Sequence, residues 1–403
     1  MDNGLRVVHS QDTATRMVAV NVLYDVGSRD EHPDHTGFAH LFEHLMFGGT
    51  AHIPDFDIPM QRSGGEGNAF TNNDVTNFYS TLPAHHIETA FWMESDRMMS
   101  LDLSPRSLEV QRSVVMEEYK QRVLNLPYGD VTHLLLPLAY QVHPYRWPVI
   151  GRELSHIANA TLDEVKAFYS RFYNPGRAIL AVTGNVEWDE VISLAEKWFG
   201  EIPAGPAYQR NMPKEPKQTV QRRLEVNRPV TQDALYMSFH SPGCMHPDLY
   251  VCDVLSDILS NGDSSRLRQR LVHEQKVFSA IDAPLTGTRD AGLLDIKGKL
   301  ASGVTLPQAE EAVWKELRLL MTQAVDEYEL QKVKNKYESV QTFGRINYQR
   351  LAFRLAWFEL NGKAELIDEE LEKYQSVSQD QLLTVAGELF REDNASVLYY
   401  AKQ

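Results

Sequence analysis

The sequence predicts an α+β chain of two related domains, and three observations support that fold class. Its 403 residues exceed what one hydrophobic core usually serves, so two or more domains are expected. Strand-like and helix-like segments follow one another along the first half and recur in outline along the second, as in a duplicated domain. Between the halves, 200–217 collects Pro203, Gly205, Pro206, Pro213 and Pro216, the composition of a linker. The expected division is 1–203, a linker at 204–217, and 218–403.

The elements follow from local pattern. Leu5–Val8 and Met17–Tyr24 read as strands, the second with Val18, Val20, Val22 and Tyr24 alternating as in a half-buried strand. After a polar turn, Gly37–Gly49 reads as an amphipathic helix closed by Gly48-Gly49. Two strands, 64–71 and 76–81, flank the turn residues Asn72-Asn73-Asp74 and read as a hairpin. The glycines at 64, 65 and 67 do not make a phosphate loop, because no Lys-Ser/Thr and no helix follow them. His86–Ser100 is helical, and Ser104-Pro105 supplies the N-cap and first-turn proline of a helix running through 108–122. Thr161 with Glu164 forms a capping box for a helix to Phe172, followed by a strand at 178–183 and a helix at 189–199. In the second half, strands near 222–226 and 234–239 precede a helix at 249–260. Helical segments then run at 307–321, 326–343, 348–360, 367–375 and 379–390, before a last strand near 395–400.

Composition removes several classes of function. The apolar and charged fractions are those of a soluble globular protein. No run approaches eighteen apolar residues, so no membrane span is expected. The start, Met1-Asp2-Asn3-Gly4, has neither a basic nor an apolar signal region. With only Cys244 and Cys252 there is no disulfide framework, and the expectation is a cytoplasmic protein. A net charge of −15 argues against nucleic acid as a partner.

The chemistry concentrates on the first long helix. His40, Glu43 and His44 fall at i, i+3 and i+4, on one face. Two neutral imidazoles one turn apart reach a single zinc ion, and a carboxylate between them can take a proton from a water that the metal acidifies. H-x-x-E-H is the inverted form of the better-known zinc-protease motif. A third protein ligand is needed. The pair Glu117-Glu118 on the helix through 108–122 offers one, but adjacent helical residues point about 100° apart and spacing does not choose between them. Aligned on its Gly stop, the helix at 249–260 puts Asp253, Ser256 and Asp257 where His40, Glu43 and His44 stand. The second copy has the helix without the ligands.

The residues resemble the pitrilysin family, in its half-length branch that includes mitochondrial processing peptidase and related bacterial proteases. The resemblance spans nearly the whole chain. It is carried by 37–47, by Gly64–Thr71 with Asp74 and Thr76, by Glu94–Met98, by Arg112–Glu118, by Asn125–Gly129, by His143–Tyr145 with Ile150-Gly151, and by Phe199–Pro203. It implies two domains, each an antiparallel sheet with helices on one side, enclosing a chamber like a clamshell. It implies one Zn²⁺ held by His40, His44 and Glu118, with Glu43 as the general base. It also implies a peptide substrate added as a strand along Asn68, Ala69 and Phe70.

Two departures from the family pattern matter. A Glu often found seven residues before the ligand Glu is Gln111 here. Self-sufficient members are similar to one another in an Arg and a Tyr of the second half that assist the tetrahedral intermediate. The matching positions here look like His273 and Phe278, with no Tyr between Tyr250 and Tyr328. A phenyl ring donates no hydrogen bond, so a homologous zinc-less chain carrying the Arg-Tyr pair is the expected partner in a heterodimer, with a homodimer as the alternative. The resemblance also takes in subunits that keep the fold as non-proteolytic scaffolds, a reading opposed by the intact His40, Glu43, His44 and Glu118.

Overall fold

The computed structural model describes residues 1–403. Ten strands form two five-stranded sheets. The first contains β1 (Arg6–Gln11), β2 (Met17–Tyr24), β3 (Glu66–Thr71), β4 (Thr76–Pro83) and β5 (Ala178–Gly184). The second contains β6 (Arg222–Arg228), β7 (Ala234–Ser241), β8 (Phe278–Asp282), β9 (Gly292–Leu300) and β10 (Ala395–Lys402). The helices of the first half are α1 (Phe38–Leu45), α2 (Asp57–Arg62), α3 (Ile87–Met99), α4 (Pro105–Tyr119), α5 (Val131–Ala139), α6 (Leu154–Ala158), α7 (Leu162–Phe172) and α8 (Trp188–Phe199). Those of the second are α9 (Asp248–Ser260), α10 (Leu306–Thr322), α11 (Glu327–Gly344), α12 (Tyr348–Leu360), α13 (Leu366–Gln375) and α14 (Gln379–Leu389). No helix is long and apolar enough to cross a membrane.

The duplication is visible in strand order. The first sheet runs β1-β5-β2-β4-β3 and the second β6-β10-β7-β9-β8, the same permutation twice. Each sheet is mixed rather than purely antiparallel, which corrects the expectation. β5 enters between β1 and β2, antiparallel to β2 and parallel to β1, and β10 does the same between β7 and β6. A strand inserted between two oppositely directed neighbours must run parallel to one of them.

The domain division is not a single cut. One compact unit contains 1–124, 147–212 and 342–368; the other contains 125–146, 213–341 and 369–403. One of the passages between the units falls between Met212 and Pro213. Two helices, however, belong to the unit of the other chain half. α12 covers the second face of the first sheet, packing Ala352 and Ala356 on Ala19, Leu23, Ile179 and Ala181. α5 covers a face of the second sheet, packing Val131 and Leu135 on Ala234, Tyr236, Leu398 and Tyr400. The helices are therefore not confined to one side. This explains why β2, read as half-buried, is buried along both faces, its one polar residue Asn21 exchanging side-chain hydrogen bonds of 2.9 Å with Asn77.

In the first unit Val18, Val20, Val22 and Tyr24 face the main core with Leu41, Phe42 and Leu45 of α1. Gly37 opens α1 at φ +92°, and a Cβ there would lie 2.7 Å from Ile157, so only glycine fits.

Candidate metal centre

α1 is fixed at both ends by buried polar side chains. At its start, Glu31 accepts the N–H groups of Gly37 and Ala39 through its two oxygens, each at 2.9 Å. These are orphan donors of the first turn, and they oppose the burial that pushes the Glu31 carboxyl well up. At its end, Arg97 of α3 donates Nε–H to the Met46 carbonyl at 3.0 Å and pairs with Glu94 at 2.6 Å. Its guanidinium lies over the rings of Phe56 and Phe78, 4.3 and 4.6 Å from their centroids. Burial pushes the Glu94 carboxyl up, and the Arg97 charge opposes the shift.

Clamped in this way, α1 packs against α4 and β3. The His40 and His44 rings stand nearly perpendicular, with centroids 4.8 Å apart. Glu118 Oε2 lies 3.6 Å from His40 Nε2 and 3.2 Å from His44 Nε2. Two donors about 2.1 Å from one tetrahedral zinc ion are roughly 3.4 Å apart, so this spacing and the N,N,O donor set fit the metal. These three residues form the one group whose donor atoms gather closely enough to hold an ion. Glu117 points elsewhere, exposed and paired with Lys120 at 3.6 Å. Burial, with His44 and Arg122 adding to it against Glu118, lowers the His40 pKa to about 4. Its imidazole is thus neutral near pH 7, the form that ligates. His40 Nδ1 is buried and no protein group hydrogen-bonds to it.

Glu43 is half-buried on the same helix. Burial raises its pKa, opposed by the Thr71 hydroxyl and the charge on His44, a direction that suits a group exchanging protons near neutral pH. β3, which carries Asn68, Ala69 and Phe70, is the free edge of its sheet. Asn68 is exposed and its Oδ1 accepts the Ala69 N–H at 2.8 Å. Phe70 points to the other face, its ring against Phe353 of α12. Among the departures, Phe278 is a core residue, 2 % exposed, packed under Gly298, while His273 is exposed on a π-helical turn at Arg268–Glu274. Sequence reasoning assigns no role to Glu31 or Arg97, because their partners at the ends of α1 are backbone N–H and C=O groups whose positions only the fold defines.

Comparison with known families gives two adjoining matches: residues 6–152 to "Insulinase (Peptidase family M16)" and residues 159–337 to "Peptidase M16 inactive domain". The chain belongs to peptidase family M16, the pitrilysin family. The zinc protease PqqE of Helicobacter pylori is 33 % identical over 285 residues, 69 % of this chain and 64 % of that protein. The M16 match extends over nearly the full length in the uncharacterized zinc protease YmxG of Bacillus subtilis, 28 % identical over 98 % of this chain and 96 % of that one. The crystal structure of a protease from Helicobacter pylori superimposes with a TM-score of 0.94 at 27 % identity, covering 99 % of this chain and 98 % of that one. The M16 fold of two units, each a mixed sheet flanked by helices, is therefore established for this chain.

Proposed function

We propose that this chain is a zinc metalloendopeptidase acting on peptides or small unfolded proteins, and that it is the catalytic subunit of a heterodimer. The observation carrying the activity is the convergence of His40, His44 and Glu118 beside a half-buried Glu43 that ligates nothing. The names of the M16 relatives support it.

Bound by those three residues, zinc supplies a Lewis acid that polarises the scissile carbonyl and acidifies water. Glu43 takes the proton of the attacking water and delivers it to the leaving amine. The free edge of β3 pairs with the substrate backbone, and because β3 packs on α1, that pairing sets the scissile bond beside Glu43. The match of 159–337 to the inactive domain of the family agrees with a second half that contributes no ligand.

The heterodimer rests on the missing donor. A buried Phe278 and an exposed His273 leave this chain without the hydroxyl that would help an oxyanion. The partner is a homologous zinc-less chain carrying an Arg-Tyr pair. The test is Glu43→Gln assayed together with that partner: it keeps one zinc per chain and loses turnover by about 10²–10⁴-fold, the usual contribution of general acid–base catalysis. Near wild-type turnover would overturn the assignment. On a quenched mixed-peptide library the zinc-loaded chain alone is expected to be silent, and unaided cleavage would replace the heterodimer with a homodimer or monomer. A chain that holds no stoichiometric zinc would instead be a scaffold.

A further inference from the structure

The two oxygens of Glu118 have different surroundings. Oε2 faces the His40 and His44 Nε2 atoms at 3.6 and 3.2 Å, while Oε1 accepts from Arg122 Nη1 at 2.9 Å. Arg122 sits on a π-helical turn, Lys120–Leu124, that directly continues α4. In an α-helix the residue four positions on overshoots by about 40°. Widening the turn to the i→i+5 pattern shifts Arg122 round the axis from its regular α-helical position. Such single turns recur at functional sites, and this one seats a guanidinium on the outer oxygen of the ligand carboxylate.

We propose that Arg122 is a positioning residue that holds Glu118 as a one-oxygen ligand and so keeps the fourth coordination position open. A carboxylate free to rotate can chelate a cation through both oxygens, and a second Glu118 oxygen added beside the water would raise the coordination number from four to five and crowd the position that a catalytic zinc site reserves for water and substrate. Engaging Oε1 with a planar, permanently charged donor prevents that, and an arginine fork holds the geometry better than the point charge of lysine. An exposed i,i+4 ion pair with no such task is expected to contribute almost nothing, so the two roles separate experimentally. The inference rests on the zinc reading above.

The test replaces zinc with cobalt(II), whose visible absorption is intense when four-coordinate and weak at higher coordination. This readout needs neither partner nor substrate. Wild type, Arg122→Ala and Arg122→Lys are titrated with the metal, with circular dichroism confirming that each is folded. Wild type is expected to give the four-coordinate spectrum. Arg122→Ala is expected to lose most of that intensity, and Arg122→Lys to fall between. An Arg122→Ala spectrum identical to wild type at equal stoichiometry overturns the proposal, even if turnover falls, because Arg122 would then act on substrate rather than through Glu118. If wild type itself binds no metal, the zinc reading fails and the inference falls with it, an outcome visible before any variant is made.

Discussion

The same helix in the same sheet context carries the candidate metal ligands in one unit and is a sealed structural element in the other. On α1, His40 and His44 present bare nitrogens to Glu118 of α4. On α9, Asp253 accepts a hydrogen bond from the Tyr374 hydroxyl at 2.7 Å, and Asp257 pairs with Lys336 of α11 at 3.1 Å and with Asn261. Ser256, at the position matching Glu43, donates to the Ala283 carbonyl at 2.7 Å. The Tyr337 and Tyr374 rings stack over the cluster with centroids 3.8 Å apart. Every one of these groups that could ligate is engaged by a protein partner. A helix with two suitably spaced side chains is thus not sufficient: the element packed against it decides, by offering a carboxylate in the first unit and a lysine and tyrosines in the second.

The sharpest way to break this comparison is at that third element. Glu118→Gln removes the negative oxygen and leaves both histidines in place. Zinc affinity is expected to fall by more than the ~100-fold seen when only an outer partner of a ligand is lost, and competition with a chelating indicator measures it. Retention of wild-type affinity would show that α1 suffices alone and would dissolve the contrast with α9. Next in size is the clamp on α1. Arg97→Met leaves Glu94 buried without its counter-charge, and breaking such a pair costs about 3–5 kcal/mol. Urea unfolding should register the loss, hydrogen exchange should rise first across α1, and adding Glu94→Gln should restore much of it.

How far each feature is legible in the sequence follows from the range of the interaction behind it. The α1 face, the β3–β4 hairpin and the Ser104 cap depend on neighbours within a few residues, and sequence periodicity exposes them. β8 and β9 are not apparent, because Asp295, Lys297 and Gly298 interrupt the apolar run of β9. Asp295 is nonetheless buried, accepting from Ser238 at 2.5 Å. α5 escapes detection because Pro137 lies inside it, where sequence reads a break. The assignment of α12 to the first unit is beyond reach, since its partners Ala19 and Ile179 are distant in sequence and small side chains signal nothing. In the candidate metal centre, the pairing of His40 and His44 is plain from spacing, and the choice of Glu118 over Glu117 comes from resemblance. The Glu118–Arg122 pair has the i,i+4 spacing that a regular helix also brings together, but the π-helical turn after Tyr119 that carries Arg122 is hidden, because periodicity predicts a regular helix through 122.

The smallest expected effect tests whether the α9 counterpart is a neutral plug or a charged remnant. Burial raises the Asp253 pKa, with the hydroxyls of Tyr374 and Tyr337 opposing and Asp257 and Glu370 adding to the rise. A carboxyl whose folded pKa lies above its unfolded value of about 3.9 favours folding fully below that value. That contribution is lost as the pH rises through the folded pKa. Asp253→Asn removes the ionisation and keeps an acceptor for Tyr374. Relative to wild type, the variant should therefore gain stability as the pH climbs from about 4 towards neutrality, and the gain should level off once wild-type Asp253 is fully ionised. Urea midpoints and exchange across α9 at several pH values measure this, while zinc content stays at wild type because no ligand is touched. Parallel stability curves would mean that Asp253 ionises as an ordinary carboxylate. The second unit would then have replaced the metal with a balanced set of charges, Lys336 included, rather than with hydrogen bonds to a protonated acid.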